Sequence, residues 1–371
     1  MHSDVILVLV IGTALAFDFT NGFHDTANVV ATSISTRAVP PRIAIAIASL
    51  LNFVGAFVSL KVAATVAKGI VDPKVVEHAP AIVFGGLIGA ITWNVITWYF
   101  GLPSSSSHAL IGGVVGATLA AAGGSAVMSD GLLGKVVVPA LVAPVLAFVV
   151  AAIAILVCYR IVGRLRPGSV TSGFRAGQLV SGGMLALAHG TNDAQKTMGV
   201  MVLALVAHGD INASHIHVPH WVVISAASAI ALGTYAGGWR IIKTMGSRII
   251  KMDSAQGFAA QGSGAAVILA ASHVGFPLST THVISGGVMG AGAAKRLSAV
   301  RWGVAGNIVL AWIVTLPAAG AIGAGVYGVT RAFGVNSEAG PLVVAVLIVA
   351  GTALVFARRV RRGSPLTAAE A

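Results

Sequence analysis

The sequence predicts an all-α polytopic membrane protein built as two inverted repeats, with about eleven spans and helices broken at two Pro-Ser/Thr motifs. Three observations carry that expectation. Apolar residues make up 56% of the chain and charged residues 9%, too few charges to cover a soluble protein of 371 residues. Apolar runs long enough to cross a bilayer recur from one end of the chain to the other. Two polar elements set inside those runs each occur twice.

The apolar runs place spans near 5–35, 43–66, 79–100, 104–122, 134–158, 178–206, 219–239, 258–274, 277–295, 301–329 and 340–357. The first run, Val5 to Phe17, lacks a basic flank and a small-residue cleavage site, so it reads as a span and not as a removed leader. Basic residues follow alternate spans: Arg37 and Arg42; Arg160, Arg164, Arg166 and Arg175; Arg240, Lys243, Arg248 and Lys251; Lys295, Arg296 and Arg301; then the tail Arg358, Arg359, Arg361 and Arg362. All fall on one side if the N-terminus is outside, which makes that side, and the C-terminus, cytoplasmic. Lys61, Lys68 and Lys74 are a mild exception, largely offset by Asp72 and Glu77. The formal charge of +12 therefore belongs to cytoplasmic loops and not to a nucleic-acid surface. Cys158 stands alone, which excludes an internal disulfide and a cysteine-based metal cluster.

The first duplicated element is GLPSSSSHALIGGVVG (101–116) against GFPLSTTHVISGGVMG (275–290). The copies share Pro103/Pro277, Ser105/Ser279, His108/His282, Gly112/Gly286 and Gly113/Gly287, and keep hydroxyls at Ser106/Thr280 and Ser107/Thr281. Five predicted spans lie between the start of one repeat and the start of the next, and an odd number turns the second copy upside down. The boundaries that follow are 1–165 for the first repeat, 166–177 for a cytoplasmic linker, 178–335 for the second repeat, and 336–371 for an extra span with its basic tail, of which 363–371 reads as disordered.

The second element is FDFTNGFHDTANVVATSIST (17–36) against LALAHGTNDAQKTMGVMVLAL (185–205). Aligning Asp25 with Asp193 pairs Gly22 with Gly190, Asn21 with His189, His24 with Asn192, and Asn28 with Lys196. A lone intramembrane Asn or Ser reads as a helix cross-link. An Asp facing lipid at a helix centre costs about 3 kcal/mol, so Asp25 and Asp193 are expected to face a cavity and meet a cation or a proton. Asn21, Asn28, Asn192 and Gln195 add neutral oxygens suited to a hard cation such as Na⁺. Gly22 and Gly190 are expected to let the helix break and present carbonyls. For Asp18, close to the outer half of the first span, a solvated and a functional carboxylate are both open.

Pro103 and Pro277 suit the start of a helix, and the hydroxyls behind them suit its cap. The exposed N–H groups and positive dipole end of such a helix favour an anion, with Ser105, Ser106, Ser107, Ser279, Thr280 and Thr281 as further donors. Two such termini at one midplane point would cradle a small tetrahedral oxyanion. Neither motif contains Arg, and neutral donors hold an anion loosely enough to release it. His108 and His282 read either as packed histidines or as donors and proton shuttles. One acidic and one hydroxyl element per repeat together point to cation-coupled anion symport.

NGFHDTAN and HGTNDAQKTMG, with the two PxSxxH-type motifs, resemble the inorganic phosphate transporter family known as PiT over essentially the whole chain. The resemblance implies phosphate symport driven by H⁺ or Na⁺ in the cell membrane, through an inverted-repeat fold able to form a homodimer. By that resemblance Asn21, Asp25, Asn28, Asn192 and Asp193 match the signature positions for coupling cation and substrate, and the six hydroxyls match those lining phosphate at broken helices. The chain reads GFHDTAN where sodium-coupled animal members read GANDVAN, has Asn52 where those have an acidic residue, and lacks their large hydrophilic loop. It looks more like the bacterial low-affinity type, similar in using protons and in carrying phosphate as a neutral complex with a divalent metal.

Rival readings are a sulfate permease of the same fold and a divalent-metal transporter resting on His189 and Asp193 at one-turn spacing and on His24 beside Asp25. An intramembrane metallohydrolase is a third, but the chain lacks HExxH. No catalytic residue, cofactor or nucleic-acid partner is expected. His208, His215, His217 and His220 read as a solvated loop, the glycine pairs as sites of close helix packing, and the tryptophans as interface anchors or bundle packing.

Overall fold

The computed structural model describes residues 4–77, 79–334 and 337–361, with side chains as far as Gly351. In chain order the helices are α1 (Asp4–Ser35), α2 (Pro41–Gly55), α3 (Lys61–Gly69), the single turn α4 (Pro73–Val76), α5 (Pro80–Phe100), α6 (Ser106–Ala122), the short α7 (Ser129–Leu132) and α8 (Val138–Val162). They continue with α9 (Pro167–His208), α10 (His220–Ala236), α11 (Trp239–Lys243), α12 (Ser254–Val274), α13 (Thr280–Ala293), α14 (Trp302–Arg331) and α15 (Ala339–Arg361). The all-helical expectation holds: among the described residues the β structure is one isolated bridge, Val71 to Val127.

Four stretches, Asp4–Ser35, Pro80–Phe100, Ser129–Val162 and Trp302–Arg331, are long and apolar enough to cross a membrane. The pair α10–α11 with its π-helical extension is a fifth if taken as one span, bent by 62°. Helices α6 and α13, at 17 and 14 residues, are too short to cross alone. Residues 167–177, read as a linker, instead form the opening turns of α9. Pro167 fits the first helical turn, and Phe174 packs on Phe258 with ring centroids 5.5 Å apart. The predicted span 43–66 divides, because α2 stops at Gly55 and α3 starts at Lys61. Arg362 and residues 363–371 of the expected tail lie outside the described residues.

The duplicated proline motifs fold alike. Gly101 ends α5 and Gly275 ends α12 in the left-handed region, with φ of 64° and 90°. The chain then turns through the proline, and Ser105 and Ser279 cap α6 and α13 by accepting the amide N–H of His108 (3.1 Å) and His282 (3.3 Å).

Packing pairs up along the chain. Helix α6 lies on α14 and α13 on α8; α1 lies on α10 and α9 on α2; α5 lies on α1 and α12 on α9. The two halves of the chain therefore interlock. Helices α1 and α9 also touch each other, and their middles carry the polar residues. One apolar cluster packs beyond one end of this polar layer, around Ile6, Val10 and Phe17 with Met198 to Ala207. The other packs beyond the opposite end, around Ala27 to Ala31 with Leu185 to Ala188.

One expectation is overturned. Neither α1 nor α9 breaks at its glycine; both run continuously through Gly22 and Gly190. Those glycines serve close crossings instead. A Cβ on Gly22 would lie 2.3 Å from the Ile230 carbonyl oxygen of α10, and one on Gly190 would lie 2.1 Å from the Asn52 carbonyl oxygen of α2. Helices this close admit no side chain, so glycine is required by proximity and not by backbone freedom.

Candidate functional site

The continuous helices α1 and α9 bring two buried carboxylates against the starts of α6 and α13. Every residue singled out from the sequence as a site residue is at most 4% exposed. The Thr280 hydroxyl lies between the acids, 3.5 Å from Oδ2 of Asp25 and 3.4 Å from Oδ2 of Asp193. Thr281 Oγ1 lies 3.5 Å from Oδ1 of Asp25. Asn28 donates its amide to Thr281 Oγ1 (2.9 Å) and Thr280 Oγ1 (3.3 Å), tying α1 to the first turn of α13. Ser107, in the first turn of α6, reaches the Leu278 carbonyl just before α13 at 3.3 Å, so the two helix starts touch. Helix starts carry free N–H groups and the positive ends of the helix dipoles, an environment that favours an anion.

Asp25 is paired with its neighbour, Nδ1 of His24 lying 2.6 Å from Oδ1. Nε2 of His24 contacts Thr97 Oγ1 at 3.1 Å. The Ser104 hydroxyl lies 2.8 Å from Thr97 Oγ1 and 3.4 Å from Nε2, so two hydroxyls surround that end of the ring. The Nδ1–H tautomer of the imidazole donates to the Asp25 carboxylate at the other end. Ser106 Oγ stands 3.4 Å from Nδ1 and connects this pair to the start of α6. The first acid is therefore coupled to a titratable partner.

Asp193 has a different partner, which sequence reasoning did not select. Lys196, 1% exposed, donates through Nζ to Oδ1 of Asp193, to Ser107 Oγ and to the Leu278 carbonyl, each at 2.5 Å. The starts of α6 and α13 are thus not lined by neutral donors alone. The available signal was a lysine three residues after an intramembrane Asp, where a charge survives only with a partner. His189 donates Nδ1–H to Oδ1 of Asn52 (3.1 Å), whose amide group is oriented by donation to Thr234 Oγ1 (2.8 Å). Its Nε2 lies 3.3 Å from Oδ2 of Asp193 but off the hydrogen-bonding direction. Asp25, His189 and Asp193 each place one ligand-type atom within 4.8 Å of the others.

Other predicted residues lie elsewhere. Gln195, expected as a cation ligand, accepts the Val62 (2.9 Å) and Ala63 (3.3 Å) amide N–H groups at the start of α3 and donates to the Thr191 carbonyl. Its side chain is consumed because Leu60, at the cap position of α3, has no side-chain acceptor for the N–H groups of Val62 and Ala63. Gln195→Ala is therefore expected to destabilise the protein by about 1–3 kcal/mol while leaving the cation dependence of uptake unchanged. A shifted cation dependence at unchanged thermal stability would return Gln195 to the ion site.

His108 and His282 bond neither acid. Their rings meet edge to face with centroids 4.7 Å apart, His282 stacks on Trp312 at 4.1 Å, and its Nδ1 lies 3.3 Å from the Ala140 carbonyl. They line a separate apolar cavity with Leu141, Pro144 and Ile313. Asn192 turns toward α12, donating to Ser272 Oγ (2.7 Å) and the Phe276 carbonyl (3.2 Å), and the oxygens of Asn192 and Asn21 are without a hydrogen-bond partner. Asp18 is not solvated: it is fully buried, with Oδ1 accepting from Thr197 (2.8 Å). His208, read as part of a loop, is the last residue of α9 and pairs with Asp210 just beyond it at 3.1 Å.

Comparison with known proteins finds relatives along most of the chain. A family profile described as "Phosphate transporter family" matches residues 21–323. The chain is 52% identical to the probable low-affinity inorganic phosphate transporter of Mycobacterium tuberculosis (strain ATCC 25618 / H37Rv), over 89% of this chain and 78% of that one. It is 43% identical to the protein of the same description from Bacillus subtilis (strain 168), over 87% and 96%. The solved structure of a sodium-dependent phosphate transporter superposes with a TM-score of 0.79 at 25% identity, covering 88% of this chain and 99% of its own.

Proposed function

The chain belongs to the phosphate transporter family, and from that premise we propose that it is a secondary symporter bringing inorganic phosphate across the cytoplasmic membrane by alternating access, coupled to protons. The observation that carries the proposal is the meeting of Asp25 and Asp193 at Thr280, where the starts of α6 and α13 touch. Phosphate would lie against Ser105, Ser106, Ser107, Ser279, Thr280 and Thr281, with Asn28 beside it. It would replace the long hydroxyl–carboxylate contacts with charge-assisted bonds. The coupling charge would enter at Asp25. His24 supports protons over Na⁺, because its imidazole already occupies one oxygen of the carboxylate at 2.6 Å and is itself able to carry a proton.

Alternating access follows if residues 1–165 and 178–335 act as inverted repeats of an eleven-span protein. The reciprocal helix pairings support that plan. The basic clusters support an outside N-terminus and a cytoplasmic C-terminal end. A second reading, favoured by the gathering of Asp25, His189 and Asp193, is that phosphate travels as a complex with a divalent metal as co-substrate. Purified protein in vesicles separates these readings. A pH gradient alone is expected to drive labelled phosphate uptake and a Na⁺ gradient alone is not; uptake driven only by Na⁺ would overturn proton coupling. Divalent metal entering in proportion to phosphate would select the complex.

A further inference from the structure

Duplicated halves make their differences informative. In the first half the residue three positions after the acid is Asn28, whose neutral amide ties the start of α13. In the second half that position is Lys196. Its ammonium has three hydrogens and meets three oxygens of three kinds: the Asp193 carboxylate, the Ser107 hydroxyl and the Leu278 carbonyl. Carboxylate, hydroxyl and backbone carbonyl are also the oxygens that strip and hold a hard cation. The position is buried at mid-helix, the side chain comes from the long helix α9, and the other two oxygens belong to the starts of α6 and α13. A helix cross-link there needs only an amide, as Asn28 demonstrates in the first half.

We infer that Lys196 is a resident cation: its ammonium fills the cation place of the second half, so that half takes no cation from solution and only the Asp25 half binds a transported one. This rests on the reading of the site as a phosphate–cation symport site. The consequence is a lower coupling stoichiometry with no loss of charge balance at the anion. Lys196 holds Asp193 neutralised through the whole cycle and keeps one fixed positive charge against the phosphate bed at Ser107. The first half, with His24 and Asn28, carries no such permanent charge and must draw its own from one side of the membrane. Lys196 is in this sense a positioning and specificity-determining residue and not a leaving or arriving one.

The test uses full-length protein reconstituted in vesicles, with labelled inorganic phosphate, a pH gradient, and either Na⁺ or choline as the remaining cation. For the wild type, uptake is expected to rise with coupling-cation concentration with a Hill coefficient near one, and to change by less than about twofold when choline replaces Na⁺. Lys196→Asn is expected to lose about 20-fold or more in choline and to regain at least about fivefold in Na⁺, because the vacated oxygens then accept a free ion. Lys196→Met, filling the space without vacating it to an ion, is expected to stay inactive in both. A merely structural lysine would give no Na⁺ recovery in a folded Lys196→Asn protein, and that result overturns the inference. So does a wild-type Hill coefficient near two, a measurement that needs no variant to fold. A wild type taking up no phosphate under any gradient would instead remove the symport reading itself, so the two failures are told apart.

Discussion

Asp25→Asn is expected to lower phosphate uptake about 100-fold or more, while the purified protein unfolds at close to the wild-type temperature. The amide keeps the shape of the carboxyl and can still meet Nδ1 of His24, so the α1–α5 contact through Thr97 survives. What it cannot do is carry the negative charge that balances a proton or cation beside a bound anion. Two charged species brought to one buried point without their counter-charge lose several kcal/mol, and each 1.4 kcal/mol is about a factor of ten. Uptake within about threefold of wild type would remove Asp25 from the coupling step. The measurement is initial-rate uptake into vesicles set beside thermal unfolding of the same preparation.

Asp193→Asn is expected to fail on both counts, losing uptake and also about 3–5 kcal/mol of stability. The difference from Asp25 lies in the partner. A neutral His24 ring is satisfied beside an amide as beside a carboxylate, whereas Lys196 would be left as a buried ammonium with only Ser107 and the Leu278 carbonyl. Breaking one side of a buried ion pair costs more than the pair contributes, because the remaining charge has been taken out of water. A lower unfolding temperature for Asp193→Asn than for Asp25→Asn checks this directly. Equal stability of the two variants would mean that Lys196 is not held by Asp193.

Local features were readable from the chain because their causes are local. The left-handed glycine, proline and capping serine of each duplicated motif stop one helix and start the next within a few residues, so α6 and α13 begin where the hydroxyls are. Intramembrane acids were conspicuous because nothing in an apolar span accommodates them cheaply. Positions decided by a distant helix were not readable. Gly22 and Gly190 have the composition of a helix break, yet the backbones of α10 and α2 crossing beside them account for both. Gln195 resembles its neighbours as an oxygen donor, but α3 lies within reach and takes it. His108 and His282 share a motif with the hydroxyls proposed to hold the anion and still point to another cavity, against each other and Trp312.

By itself the sequence determined that the chain is helical and membrane-embedded, and that one acidic and one hydroxyl element each occur twice. Periodic, short-range signals of hydropathy, capping and charge are written along the chain and need no third dimension. Only the tertiary structure decided which acid meets which cation. Asp25 and His24 are neighbours in sequence, but Thr280 reaches both acids across 255 and 87 residues, and Lys196 joins Asp193 to Ser107 across 89. Partner choice for a buried charge is set by whichever helix ends converge on it, and the crossing of α1 and α9 between α6 and α13 is what brings those ends together.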